Sequence, residues 1–231
     1  MASTILLLLL TALFAYLGMW QTSRGAEKFE LEQQFEHAGV QTLEQALESG
    51  NRFSHIELTG HFDQQRHVLL DNQMFRGRAG VHVFTPFTTS NGITILVNRG
   101  WLPLAADRSV MPDITTPAHL ISISGIFNEP PKPGRMLGPA DSLSASQWPQ
   151  LVTYLNMTDI ADALSLEIPT SLIQLSTASE GGFGDREWKA VFLSSDKHKA
   201  YAFQWYALAT ACIFLWVFLG FRKTNRSKTW P

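Results

Sequence analysis

The sequence predicts an α+β membrane protein: two transmembrane helices flanking a mostly antiparallel β external domain, a sheet or small barrel with a few short helices. Three observations carry this. Apolar residues are concentrated at the two ends of the 231-residue chain. Between them the pattern shifts to short runs of period two, bounded by Gly, Asn or Pro. The residues after the last apolar run, 222–231, are basic, with Arg222, Lys223, Arg226 and Lys228 and no acidic residue.

The elements follow in order as 4–21, a first span; 22–199, the external domain; 200–221, a second span; and 222–231, a basic tail. The first apolar run, Ile5 to Trp20, meets no charge before Arg24. It is short for a span. A cleaved signal peptide is the alternative, but the basic leading region and the Ala-x-Ala pattern of such peptides are missing. The helix formers after Arg24 predict that this helix continues to about Glu36. A short helix is predicted at 42–49, with Thr42 and Gln45 as a capping box and Gly50 as a stop.

Strands are predicted at 55–59, 67–70, 81–84, 93–97, 120–127, 151–155, 172–175 and 189–193. Asn91-Gly92 joins two of them as a hairpin turn. Asn156 or Thr158 caps a helix whose apolar face is Met157, Ile160, Ala161 and Leu164. The Pro- and Gly-rich stretch 130–147 is a loop, and Glu180 to Gly184 is predicted as a flexible hairpin tip. In Ile95 to Pro103 the strand is expected to end at Asn98 and Gly100 to permit a sharp turn.

The second span, Tyr201 to Phe221, has no charge in 21 residues. At helical rise it covers roughly 31 Å, the thickness of a hydrocarbon core. Tyr16, Trp20, Trp205 and Tyr206 stand at interfacial depth. The basic tail predicts a cytoplasmic C-terminus. Two spans then place the N-terminus on the same side and the middle outside: the periplasmic face of a bacterial inner membrane, or the intermembrane space of a mitochondrion.

Charge and motifs exclude several functions. Residues 21–199 hold 14 Lys+Arg against 20 Asp+Glu, a balance that argues against nucleic acid. The single cysteine, Cys212, lies within the second span, so no internal disulfide and no CxxC metal or haem-attachment motif exists. Gly-x-Ser-x-Gly and His-Glu-x-x-His are absent, carboxylates are scattered, and the glycines at 181–184 lack the Lys-Ser/Thr of a phosphate loop. We expect no enzymatic activity.

Of the seven histidines, His198 stands apart, one turn outside the second span. His198, Tyr201, Ala202 and Trp205 have the i, i+3, i+4, i+7 spacing of one helical stripe. An imidazole leading into aromatic rings suits a flat apolar macrocycle with a ligandable iron. The same pattern also fits an interfacial histidine that merely meets water, above aromatic residues packed on the first helix. Arg99, near its corner, could bind an anion or cap a sheet edge.

Four stretches resemble the surfeit locus protein one family of cytochrome c oxidase assembly factors. They are Trp20-Gln21-x-x-Arg24, Thr85-Pro86-Phe87, Val97-Asn98-Arg99-Gly100-Trp101-Leu102-Pro103 and His198-x-x-Tyr201-Ala202-x-Gln204-Trp205-Tyr206. The resemblance runs from Leu17 to about Arg222, with the motifs in family order, and suggests a bacterial-type member. It implies a two-span protein, both termini cytoplasmic, that receives haem a and helps it reach the catalytic subunit of a haem-copper oxidase. The partners implied are the lipid bilayer, that subunit and the machinery that makes haem a. His198 corresponds to the family's haem-associated histidine and is the expected iron ligand. Trp20, Tyr201 and Trp205 would cover the macrocycle, and Arg24 or Arg99 would pair with its propionates. The alternative is a haem-free chaperone that holds the oxidase subunit through the external domain. Family members carry basic residues before the first span. This sequence opens Met1-Ala2-Ser3-Thr4, a departure that bears on the start of the chain and the length of that span.

Overall fold

A computed structural model describes residues 2–105, 108, 110–133, 141–184, 186–188 and 194–226. The chain forms two compact units, one of residues 1–36 with 190–231 and the other of residues 37–189. Residues 22–36 and 195–199 therefore pack with the helices rather than with the β unit.

The first unit is a pair of long helices, α1 (Ala2–Glu36) and α4 (Ser195–Arg226). Both are apolar and long enough to cross a membrane. Their 35 and 32 residues run to roughly 50 Å each, beyond the ~30 Å of a hydrocarbon core. The predicted continuation of α1 to Glu36 is thus observed. The helices are antiparallel, and each turns one narrow stripe to the other. Leu7, Gly18 and Gly25 of α1, and Ser195, His198, Ala202 and Ala209 of α4, are buried, with Phe14, Gln21, Trp205 and Cys212 half-buried in register. These positions advance in alternating steps of three and four residues, the spacing of a left-handed helix pair. Most other apolar residues of both helices are exposed, including Phe203, Phe214 and Phe221, as a lipid-facing surface requires.

The second unit is a closed barrel. Its strands are β1 (His55–Phe62), β2 (Val68–Phe75), β3 (Arg78–Thr89), β4 (Thr94–Pro103), β5 (Ile121–Asn128), β6 (Gln150–Val152) and β7 (Leu172–Leu175). The sheet order is β1-β5-β7-β4-β3-β2-β6, and β1 also pairs with β3. Strands β1, β5, β7, β4 and β3 thereby form a closed ring, while β2 and β6 extend from it. One edge of β3 serves both purposes. Its first half pairs with β2, and Phe87 to Thr89 pair with Phe62 to Gly60 of β1. The pairings are antiparallel except β2–β6 and β4–β7.

Inside the ring lie Ile56, Leu58, Phe62, Phe87, Ile95, Val97, Ile123, Phe127 and Ile173. Helix α2 (Leu43–Ser49) adds Leu43 and Ala46 to the same core, held by the predicted capping box and ended at Gly50. Helix α3 (Met157–Leu164), capped by Asn156, lays Met157, Ile160 and Leu164 over the outer face of β2, β3, β4 and β7. This explains two patterns. β1 alternates strictly between exposed and buried residues because its outer face is uncovered. β4 is buried along its first eight residues because both its faces are covered.

Two expectations are corrected. β4 does not end at Asn98 but continues to Pro103, because a bulge absorbs the corner: opposite His82 and Phe84 stand Trp101 and Asn98. Gly100 makes the bulge possible with φ 102°, in a place where a Cβ would lie 2.4 Å from the Gly184 carbonyl oxygen. The stretch 180–184 is not a flexible tip. Phe183 N–H donates to the Arg99 carbonyl at 2.6 Å, and Gly184 N–H to that of Trp101 at 3.1 Å. The strand expected at 189–193 lies outside the described residues.

Candidate functional site

The four sequence motifs gather in two places, one in each unit. In the helix pair, Trp20-Gln21-x-x-Arg24 meets the His198 motif. The Cβ of His198 packs against Gly25, where an added Cβ would stand 3.3 Å from it. His198 Nδ1 lies 2.7 Å from Gln21 Oε1. The residue is 8% exposed. Among the described residues no side-chain nitrogen or oxygen is buried without a hydrogen-bond partner. His198 Nε2 has no such partner and therefore reaches the surface of the pair. One turn further from the apolar stretch, Glu32 accepts from Ser195 N–H (3.0 Å) and Ser195 Oγ–H (2.7 Å). A carboxylate here satisfies free N–H groups at the start of α4 and complements its dipole. The His198–Gln21 contact stands where the uncharged part of each helix gives way to its charged part, which begins at Arg24 in α1 and ends at Lys199 in α4.

The other proposed helix residues surround this contact. Trp205 stacks on Phe14, centroids 5.7 Å apart and planes at 26°. Trp20 and Tyr201 are half-exposed. Arg24 is exposed and ion-paired with Glu27 at 2.7 Å. Helical register places Trp20, Arg24 and Tyr201 on one flank of the seam, since in antiparallel helices positions just before the contact stripe fall on the same side. On the opposite flank, Thr22 Oγ1 and Tyr206 Oη lie 3.4 Å apart. An imidazole with one nitrogen engaged and the other open, beside aromatic rings and an arginine, is a set of side chains that could hold an iron-bearing macrocycle.

In the β unit, Thr85-Pro86-Phe87 meets the motif of β4 around Arg99. This side chain has no exposed surface. Its Nε donates to the Gly181 carbonyl (2.6 Å), Nη2 to that of Thr115 (2.6 Å), and Nη1 to Thr116 Oγ1 (2.9 Å) and Thr85 Oγ1 (3.4 Å). Phe62 and Phe183 sandwich the guanidinium at 4.8 and 4.7 Å. Burial lowers its pKa from the ordinary arginine range to about 10, leaving it charged at neutral pH. The Thr85 hydroxyl that accepts from Arg99 also lies 3.0 Å from Nδ1 of buried His67. Burial, then the nearby Arg99 charge, lowers the His67 pKa from 6.5 to about 4, so this ring is neutral. Asn98 contacts His82 (3.1 Å) and accepts from Gly100 N–H (3.0 Å), while Trp101 Nε1 donates to the Gln73 carbonyl (2.9 Å).

Arg99 thus locks β4 to the 115–116 and 181–183 segments. Its donors all point inward, and we do not carry it forward as a propionate partner. Gln21 and Gly25 were missed as neighbours of His198. Their signal was in the sequence: Gly18, Gln21 and Gly25 follow the same three–four spacing as Ser195, His198 and Ala202.

The fold and site define a class, a closed β-barrel flanked in sequence by two apolar helices of membrane-spanning length, with one histidine at the polar end of the helix pair. A model of the SURF1 family matches residues 8–210, and the chain belongs to that family. Surfeit locus protein 1 of Xenopus tropicalis is 29% identical over 241 residues, covering 92% of this chain and 73% of the relative. The mouse protein of the same name is 26% identical, covering 94% and 76%. The chicken protein is 26% identical, covering 90% and 72%.

Proposed function

We propose that this protein is an assembly factor for a haem-copper terminal oxidase, which receives haem a at the polar end of its helix pair and passes it towards the catalytic subunit. Haem a is cargo in this reading, and one axial histidine suits cargo that must leave. The supporting observation is His198 itself, buried against Gly25, with Nδ1 engaged by Gln21 and Nε2 open at the surface. Trp20, Tyr201 and Trp205 offer apolar contact for the macrocycle. Arg24 offers a guanidinium for a propionate and would exchange its Glu27 contact for it.

In this reading the C-terminal end is cytoplasmic, which the basic residues after 221 support. With two spans, the segment between them lies on the periplasmic side of the inner membrane, where the oxidase subunit and the source of haem a are the expected partners. The haem-free chaperone reading draws less support. It needs the Val97–Pro103 corner as a docking surface, and Asn98, Arg99 and Trp101 are buried.

The test is an absorption spectrum of the full-length protein purified from haem a-producing cells, with and without His198→Ala. A Soret band in the wild type, lost in the variant while oxidase-subunit binding persists, is the expected result. No band in any preparation, or equal bands in both proteins, overturns the carrier reading.

A further inference from the structure

We propose that Gln21 is the positioning residue of this site, and that it selects which nitrogen of His198 is available as a ligand. The tautomer follows from the contact alone; only the identity of the ligated metal rests on the haem reading above. An imidazole nitrogen binds a metal through its lone pair, and in the neutral ring the other nitrogen carries the proton. Nδ1 and Gln21 Oε1 are 2.7 Å apart, a length suited to N–H···O and short for an amide N–H directed at a ring nitrogen. Nδ1 is therefore the donor, and the lone pair is at Nε2, the nitrogen that reaches the surface.

His198 packs on Gly25, and both contacts come from α1, four residues apart on one stripe. A free histidine presents either nitrogen; this one is committed to Nε2 before any ligand arrives. A carbonyl acceptor on Nδ1–H also makes Nε2 more basic, as outer partners of metal-bound histidines do. Because the acceptor is a neutral amide rather than a carboxylate, the gain is moderate, as suits a site that must release its cargo. α1 thus contributes to the site through the polar residue of its own motif, and the first helix is part of the site as well as an anchor.

The experiment uses full-length protein in lipid nanodiscs with ¹⁵N-labelled histidine. Long-range ¹H–¹⁵N spectra report the His198 tautomer, assigned by loss of its signals in His198→Ala. The expected result is the Nδ1–H form in the wild type, reverting in Gln21→Leu to the Nε2–H form that a free side chain favours. An Nε2–H wild type, or a tautomer unchanged in Gln21→Leu, overturns the proposal whether or not haem binds. If Gln21→Leu does not fold, the wild-type tautomer decides.

Haem a titration supplies the second arm. Gln21→Leu is expected to weaken binding about tenfold or more. Gln21→Glu, a stronger acceptor, is expected to restore affinity and to raise the iron–histidine stretching frequency in the reduced state above the wild-type value. An unchanged frequency and affinity in both variants overturns the positioning role. A wild type with the Nδ1–H form and no haem overturns the carrier reading and leaves the tautomer assignment standing.

Discussion

Gly18 of α1 lies against the ring of Tyr206 in α4, so close that a Cβ there would come within 2.6 Å of Cε1. The ring is partly exposed and can swing away from one methyl group, but not from a branched side chain filling the seam. Gly18→Ala is expected to cost little, and Gly18→Leu about 1–3 kcal/mol of helix-pair stability through overpacking. Trp205 fluorescence during detergent-driven unfolding reads both, since Trp205 stacks across the pair on Phe14.

Replacing Arg99 by Met keeps its length and removes its donors. The carbonyls of Gly181 and Thr115 then lose a charged partner, at about 1–3 kcal/mol for each group left unpaired. Lysine cannot reproduce the planar fork that reaches three directions. Both Arg99→Met and Arg99→Lys are expected to lower the thermal midpoint of the β unit, the former by roughly 10 °C or more at a few °C per kcal/mol. His198 should keep its tautomer in both, which separates a structural Arg99 from a residue of the His198 site.

His67 makes the β unit acid-sensitive. The folded state holds it neutral with a pKa of about 4, below the usual 6.5. The contribution is fully present above pH 6.5. As the pH falls from 6.5 through 4, the unfolded chain takes up a proton that the folded protein refuses, and stability drops by about 3 kcal/mol. Denaturation of His67→Gln followed from pH 7 to pH 4 should show a shallower decline than the wild type. A parallel decline would assign the acid sensitivity to other groups.

Trp101→Phe removes the indole N–H that reaches the Gln73 carbonyl at 2.9 Å while keeping most of the aromatic contact with Phe75. We expect a loss of about 1 kcal/mol, whereas Trp101→Ala, which also opens a cavity, should cost about 3–5 kcal/mol. Thermal melts of the two variants beside the wild type give the comparison.

The elements of both units were readable where local chemistry decides them. The Thr42–Gln45 box, the Asn156 cap, the Asn91-Gly92 turn and the charge-free run of α4 all appear where local rules place them. The barrel's closure was not readable. It depends on one edge of β3 serving β2 and then β1, and neither strand's pattern announces two partners. The bulge at Arg99 and Gly100 was hidden for a similar reason. A glycine after a polar pair reads as a turn, and only the 181–184 segment, some eighty residues later, supplies the bonds that keep the strand going. In the helix pair, periodicity identified the His198 stripe. A single helix cannot say which residue faces it across a seam, so Gln21 stayed a letter in a motif until both helices were in place.

The place of β7 in the ring bears on how the chain is made. Leu172 to Leu175 sit between β4 and β5, the gap that every other strand leaves open, and α4 begins only about twenty residues later. During synthesis all of β1 to β6 must emerge and wait with two unpaired edges until this four-residue strand arrives, just ahead of the second span. A chain cut anywhere before Leu172 would lose the keystone of the ring along with the His198 helix. Completing the barrel and inserting that helix are therefore neighbouring events at the ribosome, and the chain would leave it with both units finished at nearly the same moment.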